Sequence, residues 1–141
     1  MYFSRQDILN LDHKKRLNMI NSLSGIKSAN LIGTINQTGQ TNVAIFNSLI
    51  HIGSNPPLIG FIMRPSAEVR RHTFENIIAS NQFSVNHVNS DILQNAHYTS
   101  AKFSADKSEF NECKLTEEYA YNFNAPFVKE SSIKIGATLE E

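Results

Sequence analysis

Residues 4–24 alternate polar and apolar positions at helical spacing, and Ser4 and Asp12 are suited to cap two consecutive helices that end at Gly25. The period then shortens. Ala29 to Asn36 reads as a strand, Gln37-Thr38-Gly39-Gln40 as a hairpin turn, and Thr41 to Ile52 as the returning strand. Gly53-Ser54-Asn55-Pro56-Pro57 breaks the chain, and the apolar run Leu58 to Met63 predicts a buried strand that Arg64-Pro65 stops. Thr73 is the expected N-cap of a helix reaching Ser80, with Phe74, Ile77 and Ile78 as its apolar face. Phe83 to Val88 alternates as a strand, residues 91–115 read as short helices, and Val128 to Leu139 alternates again, with Ile133, Ile135, Ala137 and Leu139 on one face. About five strands with interspersed short helices predict a β-rich α+β domain, mainly antiparallel.

Composition narrows the class. The 141 residues carry 13 basic and 13 acidic side chains, so no net field attracts DNA or an anionic membrane. Forty per cent apolar residues with nine Phe and four Tyr can fill a core, which argues against a disordered chain. A single cysteine, Cys113, excludes an intramolecular disulfide and fits a reducing compartment. No apolar run approaches the roughly 20 residues of a membrane span, and the first residues are too polar for a signal peptide. The expectation is a soluble, cytoplasmic, single-domain protein spanning 1–141.

Familiar catalytic signatures are missing. The six glycines never cluster into a dinucleotide or P-loop cradle, the five histidines lack H-x-x-x-H spacing, and no G-x-S-x-G elbow occurs. Cys113 reads as a half-buried structural thiol rather than a nucleophile.

Three stretches carry candidate chemistry. The strand 42–52 is mainly apolar on both faces, and Asn47 and Ser48 sit mid-strand, where an unpaired buried polar group costs about 1–3 kcal/mol. A bulge or neighbouring loop could satisfy them, or a ligand lying along the edge. Arg64, Arg70, Arg71 and His72 precede or open a helix, with Glu68 the one acid among them. Arginine forks beside helix N–H groups suit a phosphate; a solvated basic turn is the plain alternative. His97, Thr99 and Ser100 could line a ligand or simply cap a helix.

The ordered set N-V-A-I-F-N-S (42–48), S-N-P-P-L-I-G-F (54–61), H-T-F-E-N-I (72–77), F-S-V-N-H (83–87), S-E-F (108–110) and A-P-F-V-K-E-S (125–131) resembles the flavin reductase-like proteins, whose fold is the FMN-binding split β-barrel. The resemblance implies a homodimer with FMN near the subunit interface and hydride transfer from NAD(P)H to the flavin. It places Asn42, Ala44, Asn47 and Ser48 beside the isoalloxazine ring, Phe61, Met63 and Arg64 beneath it, and His72 and Thr73 near the phosphate. Arg64, Arg70 and Arg71 become candidates to pair that phosphate, and His97, Thr99 and Ser100 a loop closing over the flavin or nicotinamide. The flavin would carry the difficult chemistry, so no catalytic dyad is needed. Another FMN-dependent or pyridoxal-phosphate oxidoreductase on this fold, and a flavin-binding module without turnover, are the alternatives. Family members usually continue past the strand equivalent to 128–139. A truncated barrel, or a dimer covering the gap, is therefore expected.

Overall fold

The computed structural model describes residues 2–65, 70–104 and 106–140. Helices α1 (Arg5–Asn10) and α2 (His13–Leu23) begin where the sequence places them. Ser4 and Asp7 form a reciprocal capping box, and the Asp12 carboxylate accepts from the N–H groups of Lys14 and Lys15. Neither helix buries a residue, and Leu17, Ile20 and Leu23 of α2 stay exposed.

The core is a four-stranded antiparallel sheet in the order β2-β1-β5-β8, made of β1 (Asn30–Ile35), β2 (Thr41–Phe46), β5 (Gln82–His87) and β8 (Lys134–Thr138). Between β2 and β5 come the hairpin β3 (Ile50–Ser54) and β4 (Pro57–Gly60), and helix α3 (His72–Ser80). Helices α4 (Leu93–Tyr98) and α5 (Glu109–Glu112) and the short pair β6 (Glu117–Glu118) and β7 (Phe127–Val128) fill the stretch between β5 and β8. The expected α+β class, mainly antiparallel, is what forms.

Alternation along β1 assigns the two faces. Leu31 packs with Val43, Ile92, Ala96, Phe110, Cys113, Leu115 and Val128, so α4 and α5 cover that side. Ile32 packs with Val85, Phe83 and Ile77, putting α3 on the opposite side, where Phe46, Leu49, Ile59 and Phe61 join it. The turn between β1 and β2 is held by Asn36, whose Oδ1 accepts from the Thr38 and Gln40 N–H groups at 2.9 and 2.8 Å, while Gly39 takes φ +85°.

Five expectations need correction. The buried strand expected over 58–63 forms only as β4, Pro57–Gly60, with no residue fully buried. The strand expected over 41–52 is two strands: Ser48 Oγ accepts from Ile62 N at 3.1 Å and donates to Ile62 O at 3.3 Å, which ties the chain into a bend after Phe46. A side-chain oxygen that serves backbone groups competes with the sheet ladder. Asn47 is consequently exposed, β3 is largely exposed, and the cost of burying the polar pair never arises. The run expected over 128–139 is also split. It leaves β7 through a turn in which Ser131 N–H donates to Val128 O, then re-enters as β8 against β5. Thr73 is not the N-cap of α3; Arg71 is, and Thr73 lies buried in the first turn. The buried face of α3 is Thr73, Asn76 and Ile77, while Phe74 and Ile78 are exposed.

The centre of the sheet leaves no room at Gly33. A Cβ there would stand 2.5 Å from Ser84 Oγ and closer still to Pro126 O. Ser84 Oγ itself donates to Pro126 O, so neither neighbour can give way cheaply. Gly33→Ala should lower stability by about 2–3 kcal/mol in urea unfolding; an unchanged midpoint would contradict this packing. Cys113 is 3 % exposed, and burial first, then the Glu109 and Glu112 carboxylates, push its thiol up from the ordinary value. Native protein should react with a thiol reagent about a hundredfold or more slowly than urea-unfolded protein, since the thiolate is the nucleophile; equal rates would contradict its burial.

Candidate functional site

The side of the sheet under α3 is unusually polar for a helix contact. Asn42 and Thr34 are paired across β2 and β1 and point to the same face. The Asn42 side-chain amide meets Thr73 Oγ1 at 3.1 Å and lies 3.4 Å from Thr34 Oγ1, which also accepts from Asn76 Nδ2 at 3.1 Å. All four side chains are at most 7 % exposed. Sheet and helix are thus bolted together at the first turns of α3, where the chain arrives from Arg70 and Arg71.

The edge of β2 supplies the second part. Glu109, at the start of α5, is 8 % exposed. Burial raises its carboxyl above the ordinary range, against its own N–H and that of Val43, which favour the charged form. In the orientation that satisfies both ends of the amide, the Asn42 nitrogen donates to Glu109 Oε2 at 3.1 Å and its oxygen accepts from Thr73 Oγ1 at 3.1 Å. A polar cleft of about 290 Å³ opens beside this group, lined among others by Gln37, Gln40, Arg70, His72, Lys107 and Glu109.

The arginines have different fates. Arg70 is exposed and committed to Glu75: its Nε donates to both carboxylate oxygens at 2.9 and 2.8 Å, and its NH2 group lies 2.7 Å from Oε2. That bond holds the Glu75 carboxyl below the ordinary range, although both partners are too exposed for a large contribution to stability. Arg71 is half-buried, and its Nε is shielded from solvent without a hydrogen-bond partner among the described residues. Arg64 is exposed. Glu68 lies outside the described residues.

The segment after β4 completes the α3 side. Phe61 packs edge-on against Phe46 at 5.0 Å and Phe83 at 5.5 Å, so its ring belongs to the core. The bond from Ser48 to Ile62 then brings the bend at Asn47-Ser48 alongside the stretch that leads to Met63 and Arg64. Ala44 faces the same way as Asn42, since both alternate with Val43. The structure therefore gathers Asn42, Ala44, Ser48, Phe61 and Thr73 on the α3 side, with Asn47 and Met63 beside them in chain. His97, Thr99 and Ser100 sit at the end of α4, which packs on the other side through Ile92 and Ala96. Thr99 Oγ1 donates to Ala96 O at 2.8 Å and Ser100 Oγ to His97 O at 2.7 Å, so both hydroxyls are spent closing that helix.

Thr34, Asn76 and Glu109 are site residues that the sequence reading assigned no role. Thr34 and Asn76 become visible only once a strand and a helix far apart in sequence are placed face to face. Glu109 had one signal, an acid directly before the fully buried Phe110. Among the described residues no helix is long and apolar enough to cross a membrane, and no group of three or more His, Cys, Asp or Glu could hold a metal ion.

Comparison with known proteins adds the family. A solved structure from Shewanella frigidimarina NCIMB 400, assigned as a flavin reductase with a split barrel domain, is 51% identical with a TM-score of 0.94, and the match covers 100% of this chain and 69% of that one. Nitrilotriacetate monooxygenase component B from Bacillus cereus, 21% identical, shares the fold at a TM-score of 0.85 over 100% of this chain and 68% of its own. An uncharacterized protein of Aquifex aeolicus (strain VF5) is 24% identical over 109 residues, 77% of this chain and 56% of that relative. The chain thus spans little more than half the length of this curated relative. The architecture is the split barrel with short flanking helices. The model of the flavin reductase like domain matches residues 24–141, and the chain belongs to that family.

Proposed function

We propose that this chain is a single flavin-binding domain that holds FMN against the α3 side of the sheet and works as an NAD(P)H:flavin oxidoreductase. The observation that carries the reading is Arg71. A desolvated N–H donor without an acceptor costs about 1–3 kcal/mol, and among the described residues Arg71 Nε, at the N-cap of α3, has no acceptor. A phosphate oxygen is the acceptor that both a guanidinium and a helix start favour. The residues present therefore fit a phosphorylated flavin.

When bound, FMN supplies the acceptor for a hydride delivered by NAD(P)H. The chain's own part is binding and orientation. Arg71, with His72 and Thr73 at the start of α3, takes the phosphate. Arg64 is a further cation within the same connection, whereas Arg70 is already engaged by Glu75. Asn47, exposed in the bend, and Ser48 offer polar groups to the ring edge, and Ala44 leaves space for a flat ring to approach. Phe61 backs the site from the core, and Met63, two residues on, is assigned beneath the ring with it. Such placement lowers the barrier through proximity rather than acid–base chemistry. His97, Thr99 and Ser100 have no part in this reading, because they lie beyond the sheet.

A second copy of the chain belongs to the proposal. Ile50, Ile52 and Ile62 are 53, 59 and 69 % exposed on and just after the β3–β4 hairpin, beside the bend that would meet the ring. Apolar groups clustered next to a ligand site favour a homodimer with FMN near its interface. The lone buried thiol fits a reducing, cytoplasmic setting.

Two outcomes are expected. The dialysed protein should take up FMN from solution, with a perturbed visible spectrum that bleaches on anaerobic addition of NADH or NADPH. Failure to retain any flavin would contradict the reading. Arg71→Ala should weaken FMN about tenfold or more while leaving riboflavin unchanged, as expected for a charged hydrogen bond. Arg70→Ala should change either ligand by less than about threefold, given its exposed pairing. Equal effects of the two substitutions in fluorescence-quenching titrations would contradict the assignment of Arg71.

A further inference from the structure

We propose that residues 2–26, which carry helices α1 and α2, form an arm that each copy of the chain lays across the outer face of β8 in a second copy. The inference goes beyond the flavin reading. It concerns how two chains hold each other and needs no bound ligand.

The arm has an apolar stripe that its own chain does not cover. Ser4 and Asp12 cap its two helices, and Arg16 Nη1 donates to Leu9 O at 3.0 Å, so the helices hold together as one unit. Leu9, Leu17, Ile20 and Leu23 are nevertheless 52, 47, 49 and 68 % exposed. Leu17, Ile20 and Leu23 recur at helical spacing and make one stripe. Among the described residues neither apolar cluster of the body includes a residue of the arm. Helices of 6 and 11 residues are marginal on their own in water, so burial of that stripe is what would hold them. The segment that defines the family domain begins at residue 24, after the arm's two helices.

The receiving face lies at the edge of the main sheet. Ile133, Ile135 and Leu139 alternate along the β8 segment on one side and are 52, 37 and 39 % exposed, and β8 is the last strand of its sheet. Charge selects this face. The first 28 residues carry five basic and two acidic side chains, whereas residues 106–141 carry eight acidic and four basic ones, with Glu130 and Glu140 on either side of β8 in chain. A basic arm with an apolar stripe and an acid-flanked apolar face are complementary, whereas two equally basic arms repel each other.

One end of the sheet brings arm and face within reach of a two-fold axis. Ala29 O, where the arm joins the body, accepts from Val88 N at 3.1 Å, and the neighbouring His87 N donates to Ile133 O at 3.0 Å. The root of the arm and the start of the receiving face are therefore side by side. In a two-fold dimer each contact is made twice, and arms exchange reciprocally when root and receiving face both lie near the axis. Within a single chain the arm stands clear of β8, since stripe and face are exposed together. Asn30 also pairs with Phe46, so the bend leading to Ile50 and Ile52 of the β3–β4 hairpin opens at the same end, and one interface takes in all three. With each arm and each face burying roughly 300–400 Å², the two contacts reach the roughly 1,200–1,600 Å² of a stable interface.

The full chain without ligand serves for the test. Light scattering should show a dimer whose dissociation constant rises with salt, as screening weakens the charged contact. Leu17→Asp with Ile20→Asp, at positions that bury nothing in the single chain, should weaken the dimer about a hundredfold or more while circular dichroism shows the chain still folded. Ile133→Asp on the receiving face should weaken it about tenfold or more. A nitroxide on Ile20→Cys in an unlabelled copy should broaden the amide signals of residues 133–139 in an isotope-labelled wild-type copy mixed with it; Cys113 is buried and takes up little label. A wild-type monomer would overturn the proposal. So would a dimer that survives the arm substitutions, or broadening seen only when nitroxide and isotope share one chain, because the arm would then fold onto its own body. Failure to bind FMN leaves the exchange of arms standing, and an intact dimer in the arm variants overturns the exchange without touching the FMN reading.

Discussion

Asn42 reaches from β2 to the first turn of α3, and the rest of the site takes its position from that contact. The helix offers the sheet Thr73, Asn76 and Ile77 rather than an apolar stripe. With Phe74 and Ile78 turned outward and Ile77 alone of its isoleucines buried, α3 is fixed by directional bonds among Thr34, Asn42, Thr73 and Asn76 more than by burial. Directional bonds specify a register, whereas an apolar face tolerates sliding; a buried network that is satisfied rigidifies the elements it joins. The placement of Arg71 and His72 at the head of α3 follows.

A second constraint is the bend at Asn47-Ser48. One hydroxyl holding both the N–H and the C=O of Ile62 turns the chain out of the main sheet and folds β3 and β4 back as a separate hairpin. The turn brings the 61–64 stretch over Phe46, where Phe61 locks it through two edge-on aromatic contacts. The two polar groups that would have been costly inside a continuous strand become the reason the strand ends. Family membership rests on residues 24–141 as a whole. The local shape of the site rests on this bend and on the bridge beneath α3.

The sequence carried most of the elements and less of their relations. Capping at Ser4 and Asp12 and the turn at Gly39 were legible because each depends on residues within four positions of one another. The long strand over 41–52 was misread because alternation cannot tell a hydroxyl facing a neighbouring strand from one bonded to a backbone 14 residues away. Thr73 has the right chemistry for an N-cap, and a partner 31 residues distant overrode that local preference. Glu109 was hidden for a similar reason: its meaning comes from Asn42, which lies on another element and at another depth in the chain. Arg70 and Arg71 look interchangeable in sequence. One is engaged by an acid five residues away, and the other is shielded, with no acceptor for its Nε among the described residues.

The account stands or falls on the bridge beneath α3, and a double-mutant cycle across it is the most direct test. Asn42→Ala, Thr73→Val and the double variant would be compared with the wild type by urea unfolding. The predicted coupling is about 1 kcal/mol or more, as for contacting residues that share a buried hydrogen bond. Additive losses, with a coupling near zero, would mean that α3 is held by something else and that the start of the helix is not positioned by Asn42.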